Sequence, residues 1–222
     1  MIRFNIQMIM LKKFLRTAPY QKDSRKTIIV VSGLPRSGTS MMMNMLVEGG
    51  VPLVSDSIRN ADDDNPNGYF EFEPVKQLSE GQNEWLVEAD HKVVKIISAL
   101  LEYLPAGHHY KIIFMERDIK EILASQRKML NRREEESKIS DEEMEDQFHK
   151  HLADTKYWLA RQSNMEVLYV DYNQLMSNPD NYCPRIANFI GVPVDQAKMR
   201  SIPNQRLYRN RAKGEGTNPD TK

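Results

Sequence analysis

The sequence predicts an α/β fold with a mostly parallel central sheet flanked by helices. Short β-branched runs at residues 27–32, 111–116 and 166–170 are typical of strands that are buried on both faces. Longer segments with apolar residues at helical spacing lie between these runs. Because strands and helices alternate in this way, we expect neighbouring parallel strands to be joined by right-handed crossovers.

The length and the charge balance of the chain indicate one domain. The 222 residues are enough to bury a full core without cross-links. We expect this domain to span residues 27–193, after a basic lead-in at residues 1–26 and before an extension of the same domain at residues 194–222, whose tail we expect to be disordered. Lys and Arg together number 31, as do Asp and Glu, so the overall charge predicts no attraction to nucleic acid.

Cysteine usage and hydropathy favour a soluble, cytoplasmic protein. The single cysteine, Cys183, excludes an internal disulfide and a cysteine-based metal cluster, and a reducing compartment suits a lone thiol. No run approaches the roughly 18 apolar residues that a membrane span needs. The first residues also lack the order of charged and apolar segments that defines a signal peptide. We therefore expect a cytoplasmic protein with no membrane span.

The first predicted strand leads into the segment GLPRSGTS at residues 33–40, which we call the glycine loop. Gly33 and Gly38 have the spacing of a Walker A loop, whose backbone amides wrap a phosphate at a helix N-terminus. Thr39 stands where that motif has its lysine, and the strong cation of the loop is Arg36. This pattern argues against a nucleoside triphosphate and favours a shorter 5′-phosphate group that is bound without a metal.

The run PRSGTS after a strand resembles the 5′-phosphosulfate loop of the sulfotransferase family, which binds 3′-phosphoadenosine 5′-phosphosulfate (PAPS). In that family a strand that ends in arginine is followed eight residues later by a serine, and the two hold the 3′-phosphate. Arg117 and Ser125 have this spacing here. The late segment EVLYVDYNQLMSNPDNYCPRIANFIGVP also looks like the family, so the similarity spans residues 27–193.

This resemblance implies a P-loop NTPase-like fold, PAPS as the co-substrate and no metal requirement. It also implies two groups of donor-binding residues. The 5′-phosphosulfate would be held by Arg36, Ser37, Gly38, Thr39 and Ser40, and the 3′-phosphate by Arg117 and Ser125. The activity it implies is the transfer of a sulfuryl group to a hydroxyl or amine of a small-molecule or lipid acceptor.

After the glycine loop the pattern predicts a helix at 39–49, a loop at 51–72, a helix at 73–90 and a strand at 91–98. In cytosolic sulfotransferases the strand comparable to the last of these ends in Lys-Thr-His, and its histidine is the catalytic base. Lys95 matches the lysine, but Ile97 replaces the histidine. The resemblance thus implies that Lys95 is a cation near the transferred group, and the alternative is a solvated surface lysine.

Without the strand histidine, the catalytic base has to come from another segment. Family branches that modify protein tyrosines and heparan chains use a carboxylate from the loop after the phosphate-binding helix, which points to Asp56 or Glu71 here. Asp56 is preferred because it lies 20 residues beyond Arg36, close to the register of those branches. His91 is a third candidate. The alternative for both acids is that they cap or solvate a polar loop.

Further helices are predicted at residues 118–130 and 141–162, and another opens at residue 178 and ends at residue 191. His149 and His151 lie two residues apart on the second of these helices, so they point to different faces and do not form the i, i+4 pair of a zinc helix. We predict that both are surface residues. Metal binding is therefore not expected from this pair.

Two other functions stay open at this point. A P-loop small-molecule kinase would use the same fold, although the missing lysine removes the cation that bridges the β- and γ-phosphates. A non-catalytic nucleotide-binding module is the other alternative, because Ile97 replaces the usual base. On the acceptor side, Tyr69, Phe70 and Phe72 are candidates for an apolar wall, with core packing as an equal alternative.

Overall fold

The computed structural model describes residues 25–54, 70–133 and 139–203. A four-stranded sheet of order β2-β1-β3-β4 forms the centre, and each neighbouring pair is parallel. Its strands are β1 (Thr27–Gly33), β2 (Val93–Lys95), β3 (His109–Glu116) and β4 (Met165–Asp171). The predicted α/β fold with a parallel sheet is confirmed.

Both faces of the sheet are buried, because successive side chains of a strand point to opposite sides. In β1, Ile29 and Val31 pack into the core on one face, and Ile28 and Val30 pack into the core on the other. All four side chains are fully buried. A strand that is buried on both faces needs no polar side, which explains the continuous apolar run in this part of the sequence.

Helices cover the two faces of the sheet. The α-helices are α1 (Thr39–Glu48), α2 (Ile119–Arg133), α3 (Asp141–Leu159), α4 (Tyr172–Ser177), α5 (Pro179–Ile190) and α6 (Gln196–Ser201). Helices α1, α4, α5 and α6 contribute to the core that contains Ile29. Helix α3 contributes to the core that contains Ile28, together with 3₁₀ helices at Glu73–Glu80, Glu84–Glu88 and Ser98–Tyr103. In the described ranges, no helix has the length and apolar character needed to cross a membrane.

Two predicted elements differ from the structure. Residues 73–90 do not form one helix, because Gly81 has a φ of 81° and ends the first of two short 3₁₀ helices. That left-handed conformation cannot continue a right-handed helix. The predicted strand at 91–98 is also too long, since β2 ends at Lys95 and a 3₁₀ helix begins at Ser98. The extension beyond residue 193 contributes α6, whose Met199 is fully buried.

The parallel arrangement decides where the candidate residues lie. Parallel strands have all their carboxyl ends at one edge of the sheet, where open α/β proteins bind ligands. At this edge, β1 leads into the glycine loop and α1, and β3 leads into Arg117 and α2. Strand β2 ends there at Lys95. Residues from three different strand ends therefore share one edge.

Candidate functional site

The glycine loop turns sharply between β1 and α1. Gly33 and Gly38 have φ values of 144° and 100°, and Arg36 between them has a φ of 69°. A Cβ on Gly33 would lie 2.6 Å from the carbonyl oxygen of Met115 and 2.6 Å from Oγ of Ser37, so glycine is needed where the loop passes β3. Left-handed residues with a Cβ, such as Arg36, are uncommon and cluster at functional sites.

Gly38 allows the loop to approach the start of α4. A Cβ at this position would lie 2.3 Å from Cδ2 of Tyr172. Tyr172 follows β4 directly and is buried, and this burial raises the pKa of its phenol, while the nearby Arg117 guanidinium offsets part of the rise. No role was predicted for Tyr172 from the sequence, although this residue begins the YNQL segment that resembles the family.

The hydroxyl of Ser37 lies inside the glycine loop. Ser37 is 1% exposed, and its Oγ has no hydrogen-bond partner among the described residues. A buried polar group without a partner is costly, so the hydroxyl of Ser37 suits a loop that receives a polar ligand. The N-terminus of α1 follows directly and favours negative charge. The loop therefore fits a phosphate or phosphosulfate group.

The side chain of Arg36 extends from the loop to α2. Its Nε donates a hydrogen bond to Oγ of Ser125 over 3.0 Å, and its Nη1 lies 3.6 Å from Sδ of Met129. Ser125 is itself 7% exposed. The structure thus brings together one member of each predicted phosphate-binding group, although they are 89 residues apart in the chain.

The guanidinium of Arg117 has contacts with three other residues. Its Nε donates to Oε2 of Glu121 over 2.9 Å, and its Nη1 donates to the carbonyl oxygen of Arg36 over 3.1 Å. Its guanidinium also lies 4.5 Å from the ring centre of Tyr172. The Arg117 and Glu121 side chains are 8% and 2% exposed, so this ion pair is buried. Glu121 was not predicted from the sequence, although four residues is a spacing at which oppositely charged side chains pair along a helix.

Two of the predicted catalytic residues lie together at the end of β2. Nζ of Lys95 is 3.8 Å from Oε1 of Glu71, and the Lys95 side chain is 10% exposed, so Lys95 is not a solvated surface lysine. Asp56 lies outside the described residues. His91 donates its backbone N–H to the carbonyl of Thr27, at the opposite end of β1 from the glycine loop, and is therefore not at this site.

The aromatic residues proposed as an acceptor wall pack into the fold instead. Phe72 packs edge-on against Trp85 with ring centres 5.2 Å apart. Phe70 and Phe72 contact the cores on opposite faces of the sheet. Of the two interpretations of these phenylalanines, the structure therefore supports core packing, and Tyr69 lies outside the described residues.

An open hollow of about 290 Å³ lies beside the glycine loop. Residues of the loop, the end of β3 and two helices line it, among them Ser37, Arg117, Ile122, His149 and Leu152. His149 faces this hollow, whereas Nε2 of His151 lies 2.8 Å from Oγ of Ser98. The two histidines thus point to different faces of α3, as predicted. In the part of the chain that the structure describes, no three His, Cys, Asp or Glu side chains are grouped to bind a metal.

Comparisons with known proteins found similar sequences and structures. The sequence model of the sulfotransferase family matches residues 69–196, which is more than half of the chain. No match was found among curated proteins. Mouse sulfotransferase SULT7A1 complexed with PAP is similar in structure, with 17% sequence identity, a TM-score of 0.51 and coverage of 86% of this chain and 69% of that chain. The sulfotransferase domain of the olefin synthase from Synechococcus PCC 7002 has 13% identity, a TM-score of 0.48 and coverage of 78% and 76%.

The structural likeness and the family match concern different parts of the chain. At 17% identity, the likeness to the mouse enzyme concerns the fold. The family match begins at residue 69, so it does not include the glycine loop. The assignment of that loop as a phosphate site depends on the loop's own geometry. The match does include Arg117, Ser125, Glu121 and Tyr172, which lie in the other half of the candidate site. Because the family model covers more than half of the sequence, the chain belongs to the sulfotransferase family.

Proposed function

We propose that this protein transfers a sulfuryl group from PAPS to a hydroxyl or amine of a small-molecule or lipid acceptor in the cytoplasm. The observation that carries the proposal is the hydrogen bond between Arg36 and Ser125. PAPS carries anionic groups on both sides of its ribose, so a PAPS site needs two neighbouring groups of anion-binding residues. This contact lies where the glycine loop and the second predicted group meet, and membership of the family supports the reaction type.

The glycine loop would hold the 5′-phosphosulfate. The unpaired, buried hydroxyl of Ser37 supports this assignment, because a phosphate oxygen would supply its missing partner. Thr39 and Ser40 begin α1, where backbone amides and the helix dipole favour an anion. The guanidinium of Arg36 adds a forked, charged donor, and Gly38 keeps the loop close to Tyr172.

The start of α2 would hold the 3′-phosphate. Ser125 supplies a hydroxyl, and Arg117 supplies a planar guanidinium that can serve several acceptors at once. Because Arg117 also bonds the carbonyl oxygen of Arg36, it connects this subsite with the glycine loop. The bound donor would provide the sulfuryl group, and the protein would provide positioning and charge. We propose that Arg36, Lys95 and the N-terminus of α1 suffice for this without a metal.

When the acceptor attacks sulfur, its O–H or N–H proton has to leave, and the bond from sulfur to the bridging phosphate oxygen breaks to release adenosine 3′,5′-bisphosphate. A carboxylate before the first 3₁₀ helix is the proposed base, either Asp56 or Glu71. The position of Glu71 beside Lys95, at the carboxyl edge of the sheet, supports its candidacy. A carboxylate within hydrogen-bond reach of the acceptor can take up the proton, and Lys95 adds positive charge where negative charge develops.

The test is thermal unfolding with two nucleotides. Adenosine 3′,5′-bisphosphate should stabilise the protein, because a ligand at about 100 times its Kd adds about 2.7 kcal/mol to the free energy of unfolding. ATP with Mg²⁺ should add much less. Stabilisation by ATP with Mg²⁺ alone would favour a P-loop kinase and contradict the proposal.

Activity separates an enzyme from a binding module. With labelled PAPS, hydroxyl and amine acceptors should be screened in the presence and absence of EDTA. We expect turnover that persists in EDTA. Bisphosphate binding without turnover on any acceptor class would favour the non-catalytic module. Loss of turnover in EDTA with recovery in Mg²⁺ would contradict the proposal that no metal is needed.

A further inference from the structure

We propose that Glu121 is a positioning residue of the donor site: it fixes Arg117 so that one guanidinium both supports the glycine loop and faces the 3′-phosphate. Binding at the two phosphate subsites would then be coupled through a single ion pair. The proposal rests on the proposed PAPS-binding function and adds to it a residue that does not itself touch the donor. Its basis is a set of contacts around Arg117.

The carboxylate of Glu121 is fixed at both oxygens. Oε2 accepts from Nε of Arg117 over 2.9 Å, and Oε1 accepts from Nδ2 of Asn173 on α4 over 3.2 Å. Among the described residues, Glu121 is the one charged residue that is buried, at 3% exposure. A buried carboxylate with two defined partners can set the orientation of both of them.

The opposite side of Arg117 contacts the glycine loop. Nη1 donates to the carbonyl oxygen of Arg36 over 3.1 Å, and Arg36 is the residue whose φ is 69°. A residue with a Cβ keeps such a conformation when surrounding contacts over-determine it. The hydrogen bond from Arg117 is such a contact, so the orientation of Arg117 influences the shape of the loop.

Tyr172 completes the arrangement. Its ring centre lies 4.5 Å from the Arg117 guanidinium, and the same ring limits the space at Gly38 in the loop. Arg117 therefore has defined neighbours on α2, on α4 and in the loop. If the Glu121 carboxylate is removed, the buried guanidinium loses this ion pair and is expected to turn towards solvent or towards a bound anion. The hydrogen bond from Nη1 of Arg117 to the Arg36 carbonyl would then break.

This reasoning predicts a distinctive binding pattern. Substitution of a residue that acts only at the 3′-phosphate changes the affinity for a ligand with a 3′-phosphate. It does not change the affinity for a ligand without one. Loss of the Glu121 carboxylate should instead weaken both adenosine 3′,5′-bisphosphate and adenosine 5′-monophosphate, because it disturbs the loop as well. The Glu121→Gln variant is suitable, since it keeps the size of the side chain and removes its charge.

The experiment is calorimetric titration of full-length wild type and Glu121→Gln with both nucleotides, well below the melting temperature of each protein. We expect an increase in Kd of about tenfold for each ligand, the size expected for a lost charged hydrogen bond. Asn173→Ala, which keeps the ion pair but removes the second contact of Glu121, should raise both Kd values by a smaller factor. Asp154→Asn, which removes an exposed ion pair with Lys150, is the matched control and should change neither.

Several results would overturn the proposal. If Glu121→Gln melts at a lower temperature but binds both nucleotides as tightly as wild type, Glu121 has a purely structural role. If only the bisphosphate is affected, the loop is not coupled to Arg117. If Glu121→Gln does not fold, Asn173→Ala is the test. Unchanged affinity of Asn173→Ala for both nucleotides would then show that Glu121 has a purely structural role. If wild type binds neither nucleotide, the proposed function fails, and this proposal fails with it. If wild type binds both nucleotides and Glu121→Gln has the same Kd values, only the proposal on Glu121 fails and the proposed function stands.

Discussion

Nε of Arg36 in the glycine loop donates a 3.0 Å hydrogen bond to Oγ of Ser125 on α2, and 89 residues separate the two in the chain. The loop follows β1 and α2 follows β3, which are neighbours in the sheet. The contact therefore depends on parallel pairing of these strands, which places both of their carboxyl ends at one edge. Arg117 reinforces it by bonding the backbone of Arg36.

Replacement of Ser125 by alanine should weaken binding of adenosine 3′,5′-bisphosphate. The variant loses a hydrogen bond to a charged group, which is worth about 1.5–3 kcal/mol, or at least about tenfold in Kd. Titration calorimetry measures this change. Ser201→Ala on α6, where the hydroxyl bonds a backbone carbonyl, is a control that should bind normally. Equal affinities for Ser125→Ala and wild type would remove Ser125 from the donor site.

Replacement of Arg117 by alanine should reduce both donor affinity and stability. We expect at least about a tenfold loss of bisphosphate affinity from the missing charged contact. The variant also breaks the buried ion pair between Arg117 and Glu121, and removing one partner of such a pair typically costs about 3–5 kcal/mol. Urea unfolding reports the second effect.

The control for this variant is Arg200→Ala. Arg200 pairs with Asp180 at the surface, with side chains 39% and 77% exposed, and exposed pairs contribute about 0–1 kcal/mol. If Arg117→Ala has a free energy of unfolding no lower than that of Arg200→Ala, the buried pair does not stabilise the fold as its geometry indicates.

Replacement of Gly38 by alanine should abolish donor binding or prevent folding. The new Cβ would lie 2.3 Å from the buried ring of Tyr172, at a φ of 100°. Gly50→Ala separates the two causes, because Gly50 has a φ of 96° but nothing within 4 Å of its Cβ position. Gly50→Ala should therefore show only backbone strain, with near-normal nucleotide binding. Normal binding by Gly38→Ala would mean that the loop and α4 are not in close contact.

The catalytic base should be revealed by Asp56→Asn and Glu71→Gln. The variant that lacks the base should lose about 10²–10⁴-fold in kcat and keep its donor affinity, because the base acts on the acceptor. Glu73→Gln, at an exposed glutamate two residues from Glu71, is the control and should turn over normally. If Asp56→Asn and Glu71→Gln both remain active, the base lies outside this segment.

Alkaline pH should destabilise the protein in part through Tyr172. Burial raises the pKa of its phenol above the ordinary value of 10.0, with an opposing effect from Arg117. A group whose pKa is raised on folding contributes stability below its unfolded pKa and loses it as the pH rises through the folded pKa. The free energy of unfolding should therefore fall above pH 10.0, and Tyr172→Phe should show a shallower fall than wild type. An identical slope for both proteins would contradict this assignment.

Local sequence patterns predicted much of the fold correctly. The apolar run of β1, the glycine loop and α1 follow one another in sequence, and each has a signal of its own in β-branching, glycine position or helical period. The prediction failed at residues 73–90, where an apolar helical period was present but Gly81 interrupts it. A period shows which face is buried and does not show whether the backbone stays helical across a glycine.

By itself the sequence determined the parallel α/β class, the strand that leads into the glycine loop, and the residue types that suit an anionic donor, because all of these depend on neighbours within a few positions. Only the tertiary structure decided which side chains meet. Arg36 donates a hydrogen bond to Ser125, and Glu121 accepts hydrogen bonds from both Arg117 and Asn173. Lys95 lies beside Glu71. Most of these contacts join segments that are distant in the chain, and they exist because the strand order β2-β1-β3-β4 places the strand ends at one edge. Strand order arises from packing of the whole sheet and its helices, and no local pattern of residues specifies it.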